Sequence, residues 1–138
     1  EKIGIEKYSK FKKASFKVSS LALAASGTVS LELAANNTPM VIGYDMGFIS
    51  RKIIGVMLKT DTVNLVNLIT GNRNIPECLG ASFKSENLFL EMVRVYSNNQ
   101  NQIKDFNTTM NLLGKNNEPP NFRAANSLLS FHRNFKMV

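Results

Sequence analysis

Two short apolar runs, separated by a polar turn and a stretch with helical spacing, set the pattern of this chain. Residues 21–25, LALAA, carry no polar side chain, as a strand buried on both faces would, and Ser26-Gly27-Thr28 breaks the run. From there Val29, Leu31, Leu33, Ala34 and Ala35 suit about two helical turns. Asn36-Asn37 then supplies a residue that tolerates the left-handed conformation found at helix ends. Pro39 opens a second apolar run, MVIGY, over residues 40–44. Strand, turn, helix and strand make a βαβ unit, and the two strands are expected to be adjacent and parallel.

The flanking segments read more simply. Residues 1–17 interleave lysines with Tyr8, Phe11 and Phe16; Tyr8, Phe11 and Ser15 fall near helical spacing, which predicts an amphipathic helix ahead of the first strand. After Tyr44, Asp45-Met46-Gly47 predicts a turn and FISRKIIGVML a helix weakened by Gly55. Residues 62–66, TVNLV, read as a short strand leading to Asn67, which would start a helix closed at Gly71-Asn72. Pro76-Glu77 reads as a turn into helix, and SENLFLEMVRVY as an amphipathic helix capped by Ser85. Residues 98–102 are polar and read as loop. Ile103, Phe106, Met110 and Leu113 share a helical face that Gly114 ends. Glu118-Pro119-Pro120 is a hinge into a last helix over residues 121–138, with basic residues at its end.

Composition narrows the class. With 138 residues the chain is one domain's worth, and 43% hydrophobic with 20% charged residues is ordinary for a globular protein. No apolar run reaches the roughly 18 residues that span a bilayer. A net charge of +7 and a pI near 9.7 favour anionic partners: a nucleotide, an anionic membrane surface or nucleic acid. Nucleic acid is the weakest of these, because no RNP-like, zinc or basic-region motif supports the charge. One cysteine, Cys78, excludes an internal disulfide, and among Ile75, Pro76 and Leu79 it reads as a packed thiol. The single histidine, His132, sits in a basic tail and reads as solvated, and so few ligating side chains give no zinc site. The sequence opens on Glu1 without an initiating Met or a signal-peptide pattern, which reads as a fragment of something longer.

The turn in the βαβ unit carries the chemistry. A helix N-terminus there points unpaired N–H groups and the positive end of its dipole at the carboxyl edge of the sheet, where anions bind. Ser26 and Thr28 add hydroxyl donors, and Gly27 leaves the backbone open, so a phosphate or diphosphate suits the site. Glu32 lies one turn deeper on the face of Thr28, and a carboxylate there can accept from both hydroxyls of a ribose. A plain capped turn, with a glutamate favoured by the helix dipole, explains the same residues without a ligand.

The motif ALAASGTVSLELA followed by PMVIGY, then LKTDTVNLVNLITG and IPE, resembles the C-terminal half of the lipid-A-disaccharide synthases, glycosyltransferases of the GT-B fold. The match runs without a gap from about Ala22 to Leu79. SGT-x-x-x-E is shared by several GT-B enzymes; NL-x-x-G followed by PE is more particular to this family. The resemblance implies an α/β, Rossmann-like domain over residues 1–117 that binds UDP-2,3-diacylglucosamine, and residues 118–138 as a helix crossing back to an N-terminal domain. It places Ser26, Gly27 and Thr28 at the diphosphate, Glu32 at the ribose, and Asn67 and Glu77 at the substrate.

It further implies transfer of diacylglucosamine to diacylglucosamine 1-phosphate with inversion, without metal or other cofactor, by a base outside this chain. Such an enzyme would lie on the cytoplasmic face of a bacterial inner membrane, held by basic residues beside apolar ones such as Phe48, Ile49, Arg51 and Lys52, with homo-oligomers left open. Asp45, Val66, Asn72, Arg73 and Gly80 depart from the family pattern: Asp45 stands for a basic residue, Val66 for proline, Asn72-Arg73 for Arg-Glu and Gly80 for glutamine. These departures leave a non-catalytic remnant or binding module for UDP or an anionic lipid surface as the alternative.

Overall fold

The computed structural model describes residues 5–25, 27–45, 62–115 and 117–135. Helix α1 (Ile5–Val18) leads into strand β1 (Ala22–Ala24), helix α2 (Thr28–Ala35) and strand β2 (Met40–Tyr44). Helix α3 (Leu65–Thr70), strand β3 (Glu77–Leu79) and a 3-10 turn (Gly80–Ser82) follow. Three helices end the chain: α4 (Ser85–Ser97), α5 (Gln100–Leu112) and α6 (Pro120–Phe135). The strands lie in the order β1-β2-β3, both pairs parallel, with Leu23 opposite Val41 and Gly43 opposite Cys78. The chain is therefore a Rossmann-like α/β domain, and the expected βαβ unit is present over β1, α2 and β2.

β2 is central, and its side chains alternate between two covered faces. Met40 and Ile42 join Leu33, Ala34, Val66, Ile75, Phe106 and Met110 in one core, contributed by α2, α3, α5 and, for Ile75, the loop before β3. Met40, Val41 and Ile42 are all fully buried, each worth about 1.5 to 3 kcal/mol in transfer from water. On the opposite face α4 comes in so closely that a Cβ on Gly43 would meet Leu88 Cδ2 at 2.9 Å and Phe83 Cε2 at 3.1 Å. Glycine at position 43 is what lets the helix lie on the sheet.

Polar side chains fasten α5 beneath this sheet. Gln102 accepts the Met40 N–H at 2.9 Å and donates to the Met40 carbonyl at 3.0 Å and the Asn74 carbonyl at 3.2 Å, completing backbone groups of a strand end and a loop. Asp105, 5% exposed, accepts from the amides of Asn72 and Asn74 at 2.7 Å each. Thr38 Oγ1 donates to the Phe16 carbonyl at 2.7 Å and pins the end of α1.

Several expectations are corrected. β1 is an edge strand among the described residues, and Leu23 is 50% exposed, so it is not buried on both faces. Residues 62–66 are not a strand: α3 begins at Leu65, because Asn64 caps it through its side chain, accepting from the Val66 and Asn67 N–H groups. Asn67 is thus inside the helix instead of starting it. Pro76-Glu77 leads into β3, where the Ile42 N–H finds the Pro76 carbonyl at 2.9 Å, and not directly into helix. Lys84, not Ser85, is the cap position of α4, and α5 starts at Gln100, inside the stretch read as loop. Ser26, Phe48, Ile49, Arg51 and Lys52 lie outside the described residues.

Candidate functional site

β1 ends at Ala24, and Gly27, three residues on, stands at the cap position of α2. Gly27 has φ 114° and ψ −154°, a conformation that L side chains rarely adopt, and among the described residues beyond its chain neighbours no heavy atom lies within 4 Å of where a Cβ would sit. Among the described residues no side chain caps this helix, and Ser30 Oγ donates back to the Gly27 carbonyl at 2.8 Å. The N-terminus of α2 lies at the carboxyl edge of a parallel sheet, the place where α/β folds take anions. The far end of the same helix is occupied: Lys115 Nζ donates to the Ala35 carbonyl at 3.0 Å, a cation on the negative pole.

Thr28 and Glu32 are exposed on this helix, on the face one turn apart that the sequence indicated. Glu32 carries an ion pair, Lys12 Nζ to Glu32 Oε2 at 2.5 Å, reaching across from α1. Gly27 and Thr28 are thus at the start of one helix, with Glu32 one turn further along it.

Asn67 and Glu77 form a second group, engaged with protein backbone. Asn67 is fully buried; its amide donates to the Ile75 carbonyl at 2.9 Å and accepts the Ile75 N–H at 3.1 Å, pairing α3 to the approach to β3. Glu77 accepts from Thr62 Oγ1 at 2.9 Å, from the Asn64 N–H at 2.6 Å and from the Val63 N–H at 3.2 Å. Its carboxylate holds the segment that enters α3, where the helix dipole also favours a negative group. Of the departures from the family pattern, Val66 supplies an N–H to the Asn64 cap that proline lacks, and Asn72 is bound to Asp105. Nothing in the structure explains Asp45, which is exposed.

Clefts of about 180 Å³, lined by Arg73, Asn74, Arg94 and Asn98 among others, and about 330 Å³, lined by Glu77, Cys78, Asn87 and Glu91 among others, lie beside α4. Neither includes Gly27 or Glu32. Burial pushes the Cys78 thiol up from its ordinary range, with the Glu91 carboxylate adding to the shift, which fits a packed thiol. Among the described residues no group of three or more His, Cys, Asp or Glu could hold a metal ion, and no helix is long and apolar enough to cross a membrane. The sequence reading missed Lys12, Gln102 and Asp105. Gln102 and Asp105 left a faint sign, polar residues on the stripe of α5 shared with Phe106, whereas Lys12 looked like one lysine among many.

Parallel strands in the order β1-β2-β3, with helices on both faces, define the class: a Rossmann-like α/β domain. Residues 1–128 match the lipid-A-disaccharide synthetase family. The chain belongs to that family. It is 46% identical over 118 residues to a lipid-A-disaccharide synthase of Ruegeria pomeroyi, covering 86% of this chain and 29% of that protein. It is 37% identical over 114 residues to the Rickettsia prowazekii enzyme of the same name, covering 80% and 30%. It is 33% identical over 125 residues to that of Bradyrhizobium diazoefficiens, covering 88% and 32%. The chain thus spans about a third or less of the length of these relatives.

Proposed function

We propose that this chain is the sugar-nucleotide-binding part of a GT-B glycosyltransferase of lipid A biosynthesis. The reaction is transfer of 2,3-diacylglucosamine from UDP-2,3-diacylglucosamine to 2,3-diacylglucosamine 1-phosphate with inversion. The observation that carries this reading is the positive-φ Gly27 turn at the N-terminus of α2, uncrowded by any described residue, with Glu32 one turn on. Family membership points to the same chemistry.

In this reading the N–H groups of α2, with Ser26 and Thr28, receive the diphosphate, and Glu32 accepts the ribose hydroxyls. As the glycosidic bond breaks, negative charge grows on the departing UDP, and a fixed helix dipole with aligned N–H donors stabilises that charge without having to reorganise. Asn67 and Glu77 shape the substrate side of the site by fixing the approach to β3 and the entry to α3. The general base that deprotonates the acceptor hydroxyl belongs to a part of the enzyme outside this chain, so these residues act on binding and leaving-group departure. Residues 1–117 form the donor domain, and α6 packs across onto a second domain. The assembled enzyme works at the cytoplasmic face of the inner membrane as a peripheral protein.

The test is calorimetric titration of the 138-residue chain with UDP. Glu32→Ala should weaken binding about tenfold or more, as loss of a charge-assisted hydrogen-bond set does, and leave the circular dichroism spectrum and melting midpoint unchanged. Equal affinity in a folded Glu32→Ala protein would leave Glu32 as a helix residue favoured by the dipole alone.

A further inference from the structure

Lys12 comes from α1, twenty residues before Glu32 in the chain, and its position is fixed from below. Its ammonium lies 5.6 Å from the centroid of the Phe16 ring, and Phe16 packs on the core and has its carbonyl tied to buried Thr38. The side chains of Lys12 and Glu32 are 34% and 45% exposed, so as a surface ion pair the contact adds little to folding. Its effect is on the field at the turn. Glu32 is four residues below Thr28, about 6 Å along the helix axis, well inside the roughly 10 Å over which charges are felt at moderate salt. A bare carboxylate there opposes an anion arriving at the first N–H groups of α2, and the ammonium cancels it.

We propose that Lys12 is a positioning residue that compensates the charge of Glu32, so that one short helix presents a carboxylate to ribose hydroxyls and its N-terminus to a diphosphate without mutual repulsion. The proposal rests on the nucleotide reading given above. Its consequence is selective, because repulsion scales with ligand charge. Loss of the lysine penalises a nucleoside diphosphate and spares the uncharged nucleoside.

The experiment is titration of the full chain with UDP and with uridine at low and high salt, scored as the ratio of the two dissociation constants. Lys12→Met should weaken UDP about fivefold and uridine less than twofold, with the difference shrinking as salt screens the site. Lys12→Arg should keep the parent ratio. The double variant Lys12→Met with Glu32→Gln should bring the ratio back to within about twofold of the parent, because it removes both charges. Lys12→Gln carries the same expectation should the methionine variant fail to fold.

An unchanged ratio in Lys12→Met overturns the proposal. So does a ratio that the double variant fails to restore, which would mean the ammonium touches the phosphate itself. A parent chain that binds neither ligand, or a Glu32→Ala chain that binds UDP normally, sinks the nucleotide reading and this inference with it. Normal Lys12→Met binding beside a weakened Glu32→Ala sinks the inference alone.

Discussion

Asp105 shows how much of this domain hangs on single polar side chains. Its carboxylate is almost fully enclosed and holds two asparagine amides from the loop that feeds β3. Charge-assisted hydrogen bonds contribute about 1.5 to 3 kcal/mol, but Asn72 is exposed and can turn to water when released. Asp105→Ala should therefore destabilise by about 2 kcal/mol in urea unfolding, less than a doubled hydrogen-bond value would give. Cys78 makes the opposite case, a group kept inert by its surroundings. Burial first, and Glu91 second, hold its thiol protonated above the ordinary range, so iodoacetamide should label the native chain slowly at neutral pH and faster as the pH climbs. The sign carries over to stability: the contribution of the neutral thiol is complete below the unfolded thiol's range and is lost as pH rises through the folded one. Glu91→Gln should bring the labelling midpoint down.

Among the elements, the contact between β2 and α4 is the most exacting. Gly43 faces Leu88, Phe83 and Leu23 at distances that a Cβ would enter, the first at 2.9 Å. The leucine ends can yield to one methyl group but not to a branched side chain. Gly43→Val should cost about 3 kcal/mol, the upper end for overpacking, and should leave α2 and its turn in place because they pack on the other face. Melting curves of Gly43→Ala and Gly43→Val, compared with the parent, check both halves of that statement. The Gly27 turn is limited differently. There no described residue crowds a Cβ and the backbone angle is the constraint, so a side chain at position 27 meets conformational strain.

For the molecule as a whole, α6 stands apart from the core. Its described side chains are exposed, with Phe122 at 58%, Leu128 at 71% and Phe131 at 67%, and none of them belongs to the core around β2. A core that lacks α6 should not need it. Deleting residues 119–138 should shift the melting midpoint by less than about 4 °C, the size of a change near 1 kcal/mol, and calorimetry will show it. A collapse of the fold would instead make α6 an integral part of the domain. The apolar side chains it displays fit the proposal that α6 packs on a second domain, since the chain spans about a third or less of its relatives' length.

The sequence by itself determined the βαβ unit, the helix ahead of it and the helices after residue 85, and it placed Gly27, Thr28 and Glu32 together. Those features are local: apolar spacing at 3.6 residues and a turn bounded by Gly and Pro are written within ten residues of where they act. Tertiary structure alone decided β3, because three residues reading ECL gain strand character only when β2 offers hydrogen-bond partners, as Pro76 and Ile42 show. It decided that Asn64, and not Asn67, caps α3, since either asparagine could have served and the Glu77 carboxylate fixes the choice from thirteen residues away. It decided as well that Lys12 meets Glu32 and that Gln102 meets Met40, pairs separated by 20 and 62 residues. A polar side chain's partner across such a span is set by how the layers stack, and stacking leaves no period in the sequence.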